Sequence, residues 1–182
     1  MADVFEPAPT GRAKCRGCGL AIAKDTLRFG ERVPNAFGEG EATLWFHPRC
    51  AAFKRPEPLL TALPVAPAGL GDAADLERVA KTSAEHRRLA RIDGAERAPG
   101  SQAKCRHCHD KITKGGWRIR LTFFEEGRFS PGGFVHLGCR RDYFECDDMT
   151  EAVVHFSPAL EDEDRAELER ALAAGIATSG GT

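Results

Sequence analysis

The chain has 182 residues, 42% of them hydrophobic and 29% charged, with a formal net charge of −1. That balance excludes a disordered chain and a uniformly basic nucleic-acid carrier, and no apolar run is long enough to span a membrane. The N-terminus Met1-Ala2-Asp3-Val4-Phe5-Glu6-Pro7 lacks the basic-then-apolar order of an export signal, so the seven cysteines are expected in a reducing, intracellular setting.

In chain order, residues 1–10 carry Pro7 and Pro9 and read as a flexible tail. A first module over 11–94 follows. Leu20, Ile22 and Leu27-Arg28-Phe29 read as short strands, Pro34 to Gly40 as a loop, and Thr43-Leu44-Trp45-Phe46 as a strand that delivers His47. Pro48 suits the first turn of a helix that ends near Pro56. Prolines between Lys54 and Gly71 argue against long regular structure, and 72–92 reads as a helix with Leu76, Val79 and Ala80 on one face. Residues 95–100 read as a linker. The second module, 101–182, repeats the order: Ile112, a strand at Trp117 to Leu121, a loop from Gly127 to Gly133, then Phe134-Val135-His136. A final helix starts after Ser157-Pro158 in the acidic run Glu161 to Asp164.

One cysteine–histidine frame organises both modules. Cys15-x-x-Cys18 precedes His47-x-x-Cys50 by 28 intervening residues, and Cys105-x-x-Cys108 precedes His136-x-x-Cys139 by 27. Three sulfurs and one imidazole per copy suit tetrahedral Zn²⁺, so two ions per chain are expected. Modules of this size bury a small core and often need a metal to fold. The fold class expected is α+β: two tandem zinc-stabilised modules, each a short antiparallel sheet with helices around its metal site. Cys146 lies outside both frames and reads as an ordinary thiol. Beyond the ligands, Ile22 to Phe29 matches Ile112 to Ile119 at an offset of ninety.

Charge follows the same repeat. Six basic residues stand against two acidic ones between Gly11 and Arg32, and six against one between Ser101 and Arg120. Such clustering creates local positive fields that the net charge hides. Lys14, Lys24, Lys104, Lys114 and Arg120 are the candidate phosphate contacts that this clustering supplies.

Arg12-Ala13-x-Cys15-x-x-Cys18, Ile22-x-Lys24-x-x-Leu27-Arg28 and Trp45-x-His47-x-x-Cys50 resemble the poly(ADP-ribose) polymerase-type zinc finger, which also occurs in a eukaryotic DNA ligase. Leu160-x-x-Glu163-Asp164-x-x-x-Leu168 looks like the helix that closes the family's module. The resemblance implies a zinc-bound module that senses DNA strand breaks by structure rather than sequence. It implies backbone contacts for Arg12 and Arg28, and for Arg118 in the second module, where Gln102 replaces Arg12. It also implies apolar loop residues over exposed bases, for which Phe37, Phe124 and Phe129 are the candidates.

The expected function is therefore non-catalytic binding of nicks, gaps and ends in DNA repair or damage signalling. Phosphate contacts give affinity without sequence information, and stacking tolerates any base. The chain is expected to act as a monomer on broken DNA, with a repair protein as a further partner. The location is nucleoid or cytoplasm in a bacterium and nucleus in a eukaryote. The alternative is a protein–protein module that meets an acidic partner. An enzyme is disfavoured, since the repeated Cys and His are spent as ligands and four protein ligands close a zinc site.

Overall fold

The structure is a computed structural model that describes residues 2–35 and 38–174. The chain forms two compact units, one running to Ala90 and including Phe124–Phe129, the other made of Arg91–Phe123 and the segment from Ser130 onward. Each is a small α+β module built on a three-stranded antiparallel sheet.

In the first unit the sheet has the order β1-β2-β3, with β1 Val4–Pro7, β2 Leu27–Pro34 and β3 Glu41–Phe46. Alternation along the strands sorts side chains onto two faces. Phe5, Phe29 and Phe46 stand opposite one another on the inner face, with ring centroids 5.3 and 6.5 Å apart. Against the sheet pack helices α1 Pro48–Lys54 and α2 Pro56–Ala62, and α3 Ala73–Glu85 packs on those two helices. Leu59, Leu76, Val79 and Ala80 are buried there. Removing a ring such as Phe29, which is fully buried, would cost about 3–5 kcal/mol.

The other sheet, which lies in the second unit except for the Phe124–Phe129 stretch, has the order β4-β5-β6, with β4 Ile92–Arg97, β5 Trp117–Glu125 and β6 Arg128–His136. Short helices α4 Arg140–Phe144 and α5 Thr150–His155 precede α6 Asp162–Ala173. Ile112, Ile119, Val135, Phe144, Val153, Leu168 and Leu172 form the core. β4 carries a register shift between Ile92 and Ala95. Gly94 sits in it at φ +91°, where a Cβ would lie 2.0 Å from the Phe156 carbonyl oxygen. Only glycine combines that backbone with that approach.

Several sequence-based expectations change. The expected tail is strand β1, and its Glu6 stands opposite Arg28. The expected linker 95–100 begins inside β4, whose Glu96 stands opposite Arg118. Both strands are edges, and Pro7 is tolerated at a strand end where no ladder donor is needed. The helix expected over 72–92 stops at Glu85, because a short 3-10 turn at Leu89–Arg91 leads into β4. Between Lys54 and Gly71 regular structure stays short, as expected: Pro56 and Pro58 stand in the first turn of the seven-residue helix α2, which needs no N–H donor there, and two 3-10 turns follow. The loop expected at 127–133 is edge strand β6, which tolerates Pro131 for the same reason as β1. Leu20 and Ile22 belong to no strand; a single bridge, Lys14 to Ala21, is all that forms there.

Candidate metal centres and nucleic-acid interface

Each zinc knuckle is a tight turn pinned to the strand that ends at its histidine. The Cys15 N–H donates to the Leu20 carbonyl at 2.8 Å, and the Arg16 N–H donates to the Trp45 carbonyl at 2.9 Å. The second copy repeats this with Cys105 to Asp110 at 2.9 Å and Arg106 to Phe134 at 2.8 Å. The sheet thus carries the His, while the helical turn that follows carries the last Cys: α1 holds Cys50, and a 3-10 turn Leu137–Cys139 holds Cys139.

The ligand atoms of Cys15, Cys18, His47 and Cys50 all lie within 4.8 Å of one another, as do those of Cys105, Cys108, His136 and Cys139. Cys18 Sγ is 3.5 Å and Cys50 Sγ 3.9 Å from His47 Nδ1; the matching distances to His136 Nδ1 are 3.4 and 3.9 Å. With Zn–S near ~2.3 Å and Zn–N near ~2.0 Å, a tetrahedron has an S···N edge of about 3.5 Å. The donor sets fit, and these eight residues hold the chain's two Zn²⁺ ions. The surrounding hydrogen bonds support that role. His136 Nε2 lies 3.3 Å from the Lys111 carbonyl, which leaves Nδ1 for the metal. The Ala21 backbone, ninety positions before Lys111, is likewise a hydrogen-bond partner of the His47 ring. The His47 and His136 N–H groups donate to Cys15 Sγ at 3.3 Å and to Cys105 Sγ at 3.4 Å.

These contacts polarise the thiols. Hydrogen bonds from Cys18, then Cys50, hold the Cys15 thiol down at about 3 despite its burial. The neighbouring Cys15 and Cys18 push the Cys50 thiol up. In the second copy burial raises Cys105, but N–H donors of His136, Cys108 and His107 outweigh it and bring the thiol to about 7. Burial, then Cys108, pushes Cys139 up to about 12. One thiolate in each set is ready to anchor an ion. The two centres differ in shelter: Cys15 and Cys50 are both buried, whereas in the second only Cys105 is, and Cys108 is exposed. Cys146 lies outside both centres, its Sγ 3.3 Å from the Asp148 carbonyl oxygen.

The candidate phosphate contacts divide into two groups. Arg12, Lys14, Lys24, Lys104 and Lys114 are exposed and bracket the knuckles. The bridges Lys14 to Ala21 and Lys104 to Lys111 fix two of them at the metal-closed turns. Arg28 and Arg118 behave differently, being only 6% and 7% exposed. Arg28 Nη2 donates to Glu6 at 2.5 Å, and its guanidinium lies 3.5 Å over the Trp45 ring. Arg118 donates through Nε at 3.0 Å and Nη2 at 2.5 Å to Glu96, and lies 3.6 Å over Phe134. Arg120 reaches the same Glu96 at 3.3 Å and the Asp93 carbonyl at 2.6 and 3.0 Å.

Among the aromatic candidates, Phe124 and Phe129 are not free loop tips. Both are half-buried members of the first unit. Arg55 lies 3.8 Å over Phe124, and Phe129 meets Phe46 edge-on with centroids 6.2 Å apart. Both rings thus have packing partners within that unit. Phe37 lies outside the described residues.

Sequence reasoning missed Glu6 and Glu96. The signal was present: Asp3, Glu6, Ala8 and Pro9 recur as Asp93, Glu96, Ala98 and Pro99 at the same offset of ninety that links the knuckles.

The family model for the poly(ADP-ribose) polymerase and DNA-ligase Zn-finger region matches residues 6–85. A poly [ADP-ribose] polymerase of Drosophila melanogaster is 33% identical over 153 residues, covering 74% of this chain and 15% of that protein. The Sarcophaga peregrina polymerase is 27% identical over 92% of this chain and 19% of its own length. Poly [ADP-ribose] polymerase 1 of Danio rerio is 26% identical over 93% of this chain and 19% of its own length. The chain thus spans less than a fifth of the length of these relatives.

Proposed function

From the chain's membership of the PARP-type zinc-finger proteins, we propose that it binds DNA at strand breaks, without sequence preference and without catalysing a reaction itself. One observation carries the reading. Exposed cations stand at matching places around both zinc knuckles, and among the described residues no carboxylate pairs with Arg12, Lys14, Lys24, Lys104 or Lys114. Other arginines, such as Arg49, Arg55 and Arg97, are paired. Unpaired lysines on metal-fixed turns are what a phosphate backbone needs: charge held at a set place, with no internal partner to displace. A break adds freedom to bend and an exposed base-pair face, so rigid cationic turns can settle on it more closely than on sealed duplex.

Non-catalytic action rests on the metal centres. Four protein ligands close each ion, so no coordination position is open for a reacting water. The matched family region is likewise a zinc-finger region. Within a cell, the activity belongs to DNA repair or damage signalling.

The test is equilibrium binding of the zinc-loaded chain to nicked, blunt-ended and sealed duplexes of one sequence, with polyglutamate as competitor. The proposal expects tighter binding to the nicked duplex, a steep loss of affinity with salt, and weak competition. Equal affinity for sealed DNA, with strong displacement by polyglutamate, would instead assign the cations to an acidic protein partner.

A further inference from the structure

The outer face of β2 carries a feature beyond the motif residues named above. Arg28, Gly30 and Arg32 alternate onto that face, opposite Glu6 and Val4 of β1 and Trp45 and Thr43 of β3. A Cβ at Gly30 would sit 2.6 Å from the Trp45 ring, so glycine lets the indole lie flat on the strand between the two arginines. Both guanidiniums keep a buried Nε with no hydrogen-bond partner. Arg28 uses only Nη2, on Glu6. Arg32 engages only its backbone N–H, which donates to Asp3 at 2.8 Å; among the described residues no carboxylate meets its side chain. A buried donor left unmade costs about 1–3 kcal/mol unless a ligand supplies the acceptor. The edge formed by Nε and Nη of a guanidinium matches two oxygens of one phosphate.

The second module closes the corresponding edges. Both Nε and Nη2 of Arg118 go to Glu96. Nε and Nη2 of Arg120 go to the Asp93 carbonyl. Where the first module has Arg32, the second has Thr122, whose hydroxyl donates to the Ser130 carbonyl at 3.0 Å. Neither Arg118 nor Arg120 retains a buried unsatisfied nitrogen.

We propose that Arg32 binds a backbone phosphate of DNA beside Arg28, making the outer face of β2 a two-phosphate site with no counterpart in the second module. The inference rests on the DNA-binding reading above. Four residues of strand at ~3.3 Å each separate the two arginines by about 13 Å, roughly four base-pair steps of duplex at 3.4 Å per step. Arg28 and Arg32 therefore reach separate phosphates, with Trp45 filling the space between. The Glu6 side chain, 41% exposed, is a partner that an incoming phosphate can replace.

Fluorescence anisotropy of the full chain on a nicked duplex, titrated across salt, tests this. Arg32→Gln is expected to lower the salt slope by about 0.9, the share of one phosphate, and to weaken binding roughly tenfold at moderate salt. Arg78→Gln, on helix α3 and paired with Asp75, is expected to leave the slope unchanged. Arg32→Thr, with the residue the second module has at that place, replaces the first variant if that variant loses zinc. An unchanged slope in the Arg32 variants, with wild-type chain still bound to the nicked duplex, overturns the inference and leaves the DNA reading standing. A slope lowered equally by Arg120→Gln overturns the asymmetry. Wild-type chain that ignores nicked DNA altogether removes the reading and the inference with it.

Discussion

The two modules share a carboxylate–arginine–aromatic stack on the outer face of the sheet: Glu6, Arg28 and Trp45 in one, Glu96, Arg118 and Phe134 in the other. They share it unequally. Glu6 takes one hydrogen bond from one arginine, while Glu96 takes bonds from two arginines at once. The metal centres are unequal in the opposite sense, since the first shelters Cys15 and Cys50 and the second leaves Cys108 exposed. Duplicating a ligand frame thus preserves the zinc geometry, whose distances are set by the ion, and leaves the surroundings free to diverge. The first module combines a sheltered metal with a more open outer sheet face, and the second combines a more accessible metal with an outer sheet face whose arginines Arg118 and Arg120 are bonded internally.

The largest effect expected from breaking this comparison is loss of an ion. Cys50→Ser and Cys139→Ser should each remove one zinc and unfold one module, because structural zinc contributes about 10–16 kcal/mol that is also folding energy. Zinc analysis with circular dichroism reads it; folded protein with both ions retained would contradict the assignment. A chelator should strip the second centre first, through exposed Cys108.

Next in size is Gly94→Ala. The Cβ would meet the Phe156 carbonyl oxygen at 2.0 Å, and the backbone is left-handed, so a cost on the order of 3–5 kcal/mol is expected, confined to the second module. The first module has Val4 at the matching place, and Val4→Ala should cost less than half as much. Thermal melts followed by zinc release separate the two.

A smaller difference is expected between the buried arginines. Arg118→Ala leaves Glu96 with only its more distant bond to Arg120 and should cost about 2–3 kcal/mol. Arg28→Ala, which breaks one bond to a more exposed Glu6, should cost about 1 kcal/mol. Equal losses in chemical denaturation would show that the extra hydrogen bonds to Glu96 do not count. Smallest of all, Glu6→Gln should release Arg28 and tighten nicked-DNA binding about threefold, with little change in melting. Weaker binding in that variant would mean that the carboxylate positions Arg28 instead of competing for it.

Much of this was legible in the sequence, and the limits have physical causes. Zinc ligands announce themselves because chemistry restricts both residue type and spacing, so Cys15 to Cys139 could be read directly. The strands before each histidine followed from their β-rich composition. What stayed hidden depended on partners far along the chain. Nothing local to Arg28 says that Glu6, 22 residues upstream, receives it, and the prolines around β1 read as a tail until pairing with β2 is known. Helices α4 and α5 are too short for periodicity to reveal. Phe124 and Phe129 look the same in sequence whether they pack inside a unit or wait for a base.

The proposed grip of zinc-fixed cations on the DNA backbone at a break has a footprint that can be read. A hydroxyl-radical footprint of the zinc-loaded chain on a duplex with one nick tests it most directly. Backbone protection should be centred on the nick, absent from the sealed duplex of the same sequence and lost when zinc is chelated. Protection spread evenly along both duplexes, or unchanged after chelation, would contradict it.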